Sequence, residues 1–236
     1  METTQRIDTA ILRQRRAVIR FIRKKLGNAV RRRGKVFYSS PHSLFTGRHI
    51  LMGYNTGGDP SDRSGCTIEH NLKQWPLIPG NNYRSEKWAD NGKRHNILQR
   101  RVQALFRNLH LNLDKAFTSN LFFFRSQEAA SLADRDKKPS RPIWQKFLES
   151  SGAKNIICIG IKTATEFLRI MGAAEIEQIP IRTCHPRARA ILFNATIERS
   201  QYKIVAIPHL SRFKVQDDRR LIRRIARHIK TSKSRP

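Results

Sequence analysis

Short apolar runs alternate with amphipathic stretches through the middle of the chain, and this alternation restricts the fold more than any other feature. The runs cover residues 49–53, 116–122, 155–160 and 203–207. Apolar runs of this length, bounded by turn residues, predict buried strands. Strands that alternate with helices are typical of a parallel sheet covered on both faces. The sequence therefore predicts a three-layer α/β/α protein with a central four-stranded parallel sheet.

Helical patterns fill the gaps between these runs. Leucine and valine recur every three or four residues across residues 98–109, the spacing of an amphipathic helix. Two more helical patterns cover residues 140–152 and 163–172, and a glycine ends each of them. The segment 176–199 is less regular, and its stretch 191–197 is compatible with an extra edge strand.

The charge of the chain is strongly positive and concentrated at its ends. The 236 residues include 47 Lys and Arg against 18 Asp and Glu, for a net charge of +29. Residues 1–35 hold twelve of the basic residues and residues 212–236 hold ten. A basic run is often only a solvated face, but this excess favours a nucleic-acid partner. An acidic membrane surface is the competing partner.

Both ends also have the pattern of basic helices with one apolar face. We expect a helix from Asp8 to Gly27 within a basic N-terminal extension covering residues 1–35. We expect a second basic helix over residues 216–230, inside a domain covering residues 36–236. Both helices are expected on the face that carries the functional site, where they would extend a nucleic-acid track. Their apolar positions are Ile11, Val18, Ile22 and Leu26 in the first helix and Leu221, Ile222, Ile225 and Ile229 in the second.

The cysteines and the hydropathy pattern indicate the compartment. Cys66, Cys158 and Cys184 are far apart and form no CxxC pair, so neither a disulfide framework nor a zinc or iron–sulfur site is expected. No apolar stretch is long enough to span a bilayer, and charges occupy the positions of a signal peptide's apolar region. The expectation is a reducing, cytoplasmic location, no membrane insertion, no metal and no cofactor.

Polar side chains lie at or just beyond the predicted strand ends, which is where ligands bind in open α/β sheets. Asn55 and Asp59 follow the first run, Asn120 lies near the end of the second, and His209 and Ser211 follow the fourth. An amide can hold a water by donating and accepting together. A histidine N–H can stabilise a developing negative charge, and a serine beside backbone amides can hold a phosphate. We expect Asn55, Asn120 and His209 to converge on one cleft.

These residues resemble the motifs of the uracil-DNA glycosylase superfamily. The first motif of that superfamily has the form G-x-[ND]-P-G, and here Gly53-Tyr54-Asn55-Thr56-Gly57 stands in its place. The second has the form H-P-S, and here it reads His209-Leu210-Ser211. Asn120, in the sequence TSNLFFFR, resembles the asparagine that recognises the base in several branches. The resemblance covers roughly residues 45–215 and is closest to the branches that have G-x-N-P-G.

The resemblance implies a DNA glycosylase that flips a damaged base, uracil foremost, out of DNA and hydrolyses its N-glycosidic bond. Asn55 would position the attacking water, His209 would stabilise the departing base and Asn120 would read its edge. Arg212 or Phe213 would fill the gap in the duplex. The aromatic residues considered for stacking on the base are Trp75, Tyr83 and Trp88. The residues considered for DNA contact are Ser211, Arg212, Phe213, Arg31, Arg32 and Arg33.

The motifs depart from the superfamily pattern at two positions. Thr56 and Leu210 replace prolines, which stiffen loops, so catalysis itself is an open question at this point. A non-catalytic nucleic-acid binder on the same fold is the main alternative. An unrelated basic RNA-binding protein, or a nucleotide-processing enzyme that binds phosphate at Gly57 and Gly58, are the others. In each case the sequence suggests a monomer.

Overall fold

The structure is a computed structural model that describes residues 2–58, 61, 66–88, 95–128 and 131–230, with side chains from residue 9 onward. The strands are β1 (His49–Thr56), β2 (Ala116–Arg125), β3 (Asn155–Ile159), β4 (Ala174–Arg182), β5 (Arg189–Ile197) and β6 (Ser200–Ile207). The helices are α1 (Glu2–Leu26), α2 (Pro41–Thr46), α3 (Ile68–Gln74), α4 (Asn82–Ser85), α5 (Ile97–Asn108), α6 (Asp134–Lys137), α7 (Ser140–Ser150), α8 (Ile161–Met171) and α9 (Arg219–Lys230).

The strands form one six-stranded sheet in the order β2-β1-β3-β6-β5-β4. The first four of these strands are parallel, as the apolar runs predict. The predicted sheet of four strands was nevertheless too small, because β5 pairs with β6 and β4 pairs with β5, both antiparallel. The stretch 191–197 is therefore an inner strand, and β4 forms the edge. Most of β4 is exposed, so it lacks the apolar pattern that marks the other strands.

Helices cover both faces of the sheet, so the predicted three-layer arrangement is confirmed. Side chains alternate between the faces along each strand. Ile50 and Met52 of β1 point into one apolar cluster with α7 and α8. Leu51 of β1 points into a second cluster, which contains the buried residues of α5 and α9. None of the helices in the described part of the chain is apolar over a length that would cross a lipid bilayer.

The N-terminal helix belongs to the domain core. Val18, Ile22 and Leu26 are buried in the same cluster as Ile50 of β1, and α1 contacts α7 and α2. The expected boundary at residue 35 therefore does not separate two cores. The helix ends at Gly27, as predicted, but begins at Glu2, so Asp8 lies within it and is not its cap.

The two basic helices lie on opposite sides of the sheet. The apolar residues of α1 belong to the cluster that contains Ile50. Leu221 and Ile225 of α9 belong to the cluster that contains Leu51, on the other face of the sheet. The expectation that both helices share one face was wrong. Each helix buries its own apolar stripe, and the sequence pattern carries no information about which sheet face that stripe will cover.

Candidate functional site

A cleft of about 670 Å³ opens at the carboxyl ends of β1 and β2. Both strands are longer than predicted, so Asn55 lies within β1 and not after it, and Asn120 lies in the middle of β2. The cleft is also bounded by the segment before α2 and by residues 83–88 and 96–98. Its lining residues are Gly34, Lys35, Tyr38, Asn55, Thr56, Gly57, Gly58, Cys66, Tyr83, Glu86, Lys87, Trp88, Asn96, Leu98, Asn120 and Arg125.

Asn55 is held by its nitrogen and exposes its oxygen. Its Nδ2 donates to the carbonyl oxygen of Thr56 at 3.1 Å and to that of Ser126 at 3.0 Å. These two acceptors fix the amide orientation, because a carbonyl can only receive a hydrogen bond. Among the described residues, no donor reaches Asn55 Oδ1. The oxygen is therefore an available acceptor for a water or hydroxyl in the cleft.

Asn120 is buried in β2 directly beside Gly53 of β1. A Cβ atom at position 53 would lie 2.2 Å from Asn120 Oδ1, closer than non-bonded atoms approach. Glycine at position 53 therefore provides the space that the amide occupies. This gives the glycine of motif one a structural role that depends on Asn120.

A chain of hydrogen bonds fixes the orientation of the Asn120 amide. Thr56 Oγ1 lies 3.3 Å from the carbonyl oxygen of Phe123 and 3.4 Å from that of Lys35, and its one proton is donated to these carbonyl acceptors. The Thr56 hydroxyl then accepts from Tyr38 Oη at 3.2 Å, and Tyr38 Oη accepts from Asn120 Nδ2 at 2.9 Å. Because the chain ends on a carbonyl, its direction is determined. No described residue donates to Asn120 Oδ1, so the amide retains an acceptor for a ligand.

Breaking this chain gives a first testable prediction. In Tyr38→Phe, Asn120 Nδ2 loses its nearest acceptor, and Thr56 loses the nearer of its two donors and keeps only Asn120 Nδ2 at 3.4 Å. We expect the free energy of unfolding to fall by about 1–3 kcal/mol, the range for leaving buried polar groups unsatisfied. Urea unfolding followed by circular dichroism measures the change. Tyr202→Phe, at a hydroxyl far from the cleft on β6, is the matched control, and equal losses in the two variants would contradict the proposed chain.

Charged groups of both signs surround the entrance of the cleft. Lys35 forms an ion pair with Glu86, and its ammonium lies 4.8 Å from the centre of the Tyr38 ring. Arg125, the last residue of β2, approaches Gly58 of the loop after β1. Burial raises the pKa of the Cys66 thiol, so this cysteine is a weak nucleophile in the cleft. Glu86 offsets the charge of Lys35, and Arg125 adds a further positive charge to the lining of the cleft.

Three aromatic rings form one wall of the cleft. Tyr83 packs edge-on against Trp88 with ring centres 4.8 Å apart, and Trp88 packs edge-on against Tyr38 at 6.0 Å. Burial raises the pKa of the Tyr38 and Tyr83 hydroxyls, so both rings are neutral at physiological pH. Trp88 is partly exposed, so its ring can stack on a planar ligand.

Trp75 is a core residue and takes no part in this wall. Its ring is fully buried and stacks on Phe37 with centres 3.6 Å apart, while its Nε1 donates to the carbonyl oxygen of Ser39. The selection of Trp75 for base stacking is therefore corrected. Periodicity could not distinguish it from Trp88, because only the tertiary contacts decide which ring faces the cleft.

His209 lies at the same edge of the sheet as Asn55. The register places Met52, Cys158 and Ala206 side by side on β1, β3 and β6, and Asn55 and His209 are each three residues further along. Two strand spacings, or about 10 Å, separate their backbones. The described lining of the cleft includes Asn55 and Asn120 but not His209. Of the three residues expected to converge on one cleft, only Asn55 and Asn120 do so.

The His209 ring is oriented by its own loop. Its Nδ1 lies 2.7 Å from Ser211 Oγ and accepts from the backbone N–H of Ser211 at 3.3 Å. A neutral ring that accepts at Nδ1 carries its proton on Nε2. Burial and the nearby Arg212 charge lower the pKa of His209, which maintains this neutral form. No described residue pairs with Nε2, so His209 presents one free N–H donor.

The remaining residues of this loop differ in exposure. Ser211 and Arg212 are exposed, whereas Phe213 is partly buried and packs edge-on against His185 with ring centres 4.9 Å apart. Arg212 is therefore the better placed of the two residues considered for filling a gap in a duplex. Leu210 is fully buried, and its carbonyl accepts from Arg101 at 2.6 Å. The burial of Leu210 thus restrains the loop at the position where the H-P-S motif has proline.

The three arginines that precede the cleft are not equivalent. Arg32 forms a bidentate ion pair with buried Asp136, at 2.5 and 2.8 Å, and stacks over the Phe124 ring. This ion pair raises the pKa of Arg32. The ion pair holds the guanidinium against Asp136, although the side chain of Arg32 is still 44 % exposed. Arg31 is exposed like Arg32, whereas Arg33 is partly buried and its backbone bridges to Thr67.

Several cleft residues escaped the sequence analysis. Lys35, Tyr38, Glu86 and Arg125 belong to no motif, and they come together only through the fold. A tyrosine in the apolar stretch before β1 was the one available signal, since a buried tyrosine hydroxyl needs a hydrogen-bond partner. Asp59, the carboxylate that follows β1 in the sequence and could hold a water in place of Asn55, lies outside the described residues.

Comparison with known proteins adds no assignment. No family model matches the chain, and no curated protein matches its sequence. Within the part of the chain that the structure describes, no group of three or more His, Cys, Asp and Glu side chains is placed to hold a metal ion. The site must therefore be interpreted from its own geometry.

Proposed function

We propose that the protein is a DNA glycosylase that flips an altered base, uracil foremost, into the cleft and hydrolyses its N-glycosidic bond. The observation that carries the proposal is the Asn55 amide. Its nitrogen is anchored by two carbonyl groups and its oxygen is free in a cleft shared with the oriented amide of Asn120. One amide can hold a water while the other reads the edge of a base.

In the proposed reaction, Asn55 Oδ1 accepts a hydrogen bond from a water that attacks C1′ of the flipped nucleotide. The C1′–N bond breaks as the new C1′–O bond forms, and its electron pair leaves with the base. The departing base therefore becomes anionic, and the Nε2–H of His209 donates to its oxygen. Donors aimed at a developing charge are usually the largest catalytic contribution. The water supplies the proton that finally neutralises the base.

Two departures from the superfamily motifs are compatible with this reaction. Thr56 supplies the hydroxyl that orients Asn120 through Tyr38, a role that proline cannot perform. Leu210 anchors the His209 loop by burial. Local restraint at both motifs therefore comes from side chains of this protein, and the absence of the prolines does not argue against catalysis.

The proposal is tested on oligonucleotides that carry uracil, hypoxanthine or another altered base, in single and double strands and with EDTA present. We expect release of free uracil and an abasic site that alkali cleaves. A protein that binds all these oligonucleotides but releases no base would support the non-catalytic binder instead. High affinity for free nucleotides would support the nucleotide-processing alternative.

Asn120→Ala tests the reading of the base edge. A site that hydrogen-bonds one edge rejects other bases because its own buried polar groups would remain unpaired. We expect the ratio of kcat/KM for uracil over the other bases to fall by roughly 10-fold or more. Competition assays with paired substrates measure this ratio directly. If selectivity is unchanged while the overall rate falls, Asn120 has a structural role only.

A further inference from the structure

The exposed side of α1 is a continuous basic surface. From residue 9 to its end at Leu26 the helix contains no acidic residue. Arg23 forms an ion pair with Glu69 of α3. The other exposed cations have no ion-pair partner among the described residues. They are Arg13, Arg16, Arg20, Lys24 and Lys25.

The exposed side of α9 is a second basic surface. This helix also contains no acidic residue, and Asp218, just before it, is occupied in accepting the backbone N–H groups of Arg220, Leu221 and Cys184. The carboxylate therefore caps the helix and does not neutralise its outer side. The exposed cations of α9 are Arg219, Arg220, Arg223, Arg224, Arg227 and Lys230.

The two surfaces are too far apart to share one straight duplex. The apolar sides of α1 and α9 belong to clusters on opposite faces of the sheet, so their basic sides point away from each other. Two helix layers, each about 10 Å across, with a sheet between them make the molecule roughly 30 Å thick. DNA has a persistence length of about 150 base pairs, so a short segment cannot fold around the molecule to reach both helices.

We propose that the protein bridges two segments of duplex DNA, one on the α1 surface and one on the α9 surface. Backbone phosphates are the ligand, since arginine-rich helix faces without acidic residues suit a regular array of negative charges. This activity requires neither base flipping nor hydrolysis. It is therefore independent of the proposed glycosylase reaction, and undamaged DNA suffices to test it.

The test uses an undamaged 30-base-pair duplex fixed to beads and a second, fluorescent duplex in solution. We expect the wild-type protein to capture the fluorescent duplex on the beads and to bind two duplexes per chain at saturation. Capture should weaken steeply with salt, because each neutralised phosphate releases counterions. One duplex per chain with no capture above the protein-free level would overturn the proposal.

Charge reversal separates the two surfaces. The α9 variant R220E/R223E/R224E should still bind one duplex through α1 but lose capture by at least about 10-fold. The α1 variant R13E/R16E/R20E should still bind one duplex through α9 and should lose capture to a similar extent. The control R48E/K115E/K154E changes the same charge at the opposite edge of the sheet from the cleft, just before β1, β2 and β3, and should retain capture. Circular dichroism melting verifies that each variant is folded.

Three other outcomes would also overturn bridging. If either helix variant abolishes all DNA binding, the two helices serve one site. If light scattering shows a dimer at assay concentrations and each copy holds one duplex, bridging belongs to the dimer. If R220E/R223E/R224E loses binding to phosphatidylserine vesicles while duplex capture is unchanged, the α9 surface is a membrane contact.

Discussion

Replacing Asn55 with alanine should reduce base release by a factor of about 10³, the upper range for loss of one group that acts in the transition state. The affinity for uracil-containing DNA should change little, because Asn55 contributes one side chain to an interface dominated by phosphate contacts. The variant loses the positioning of the attacking water, together with the hydrogen bonds from Nδ2 to the carbonyl groups of Thr56 and Ser126. The expected signature is therefore a fall in kcat without a comparable change in binding.

Single-turnover kinetics and fluorescence anisotropy measure the two quantities on the same oligonucleotide. Asn194→Ala is the matched control, because Asn194 is an amide on β5 that bonds Glu177 on β4, away from the cleft. Its rate should equal that of the wild type. Full activity of Asn55→Ala would assign the water to another residue, with Asp59 as the first candidate.

Replacing His209 with alanine should lower kcat by about 10²–10³, as expected for loss of one donor to a developing anion. The pH dependence distinguishes this role from a structural one. Burial and Arg212 lower the pKa of His209, so the neutral, Nε2–H form persists in mildly acidic solution. Activity should fall only below about pH 6.5, the ordinary histidine value, when the ring gains a second proton and Nδ1 can no longer accept from Ser211.

Arg212→Gln provides the control for this pH dependence. Removing the neighbouring positive charge should raise the pKa of His209 and move the acidic limb of the kcat profile to higher pH. The free energy of unfolding should depend on pH in the same direction as the activity. A lowered folded-state pKa means that the stability contributed by neutral His209 is present above the unfolded pKa and is lost as pH falls through the folded pKa. An acidic limb that does not move would remove His209 from the reaction.

The parallel strands could be predicted because each contains a short apolar run, and β3 shows this most clearly. The run NIICIG is buried on both faces as β3, and its pattern depends on no distant partner. The opposite holds for β4, AEIEQIPIR, which is mostly exposed and contains Pro180. Its place in the sheet is determined by pairing with β5, which is a tertiary property.

Residues of the site could be predicted only where they belong to a recognisable sequence motif. Asn55, Asn120 and His209 are found from the sequence because they occur near the ends of recognisable strands. Lys35 and Glu86 meet across 51 residues of chain, and no local pattern encodes such a contact. The exclusion of Trp75 depends likewise on its stacking with Phe37. The topology of the fold decides whether such a side chain faces the cleft or the core, and a periodic apolar pattern is compatible with both positions.

The packing of α1 against α7 has a consequence during synthesis on the ribosome. Val18, Ile22 and Leu26 are made well before Trp144 and Phe147, which belong to the cluster that buries them. At about 5–20 residues per second, the apolar stripe of α1 waits on the order of ten seconds for this part of its cluster. Until α7 is made, the stripe lacks the part of its cover that Trp144 and Phe147 supply. A product truncated before α7 would therefore keep part of this apolar stripe exposed to solvent.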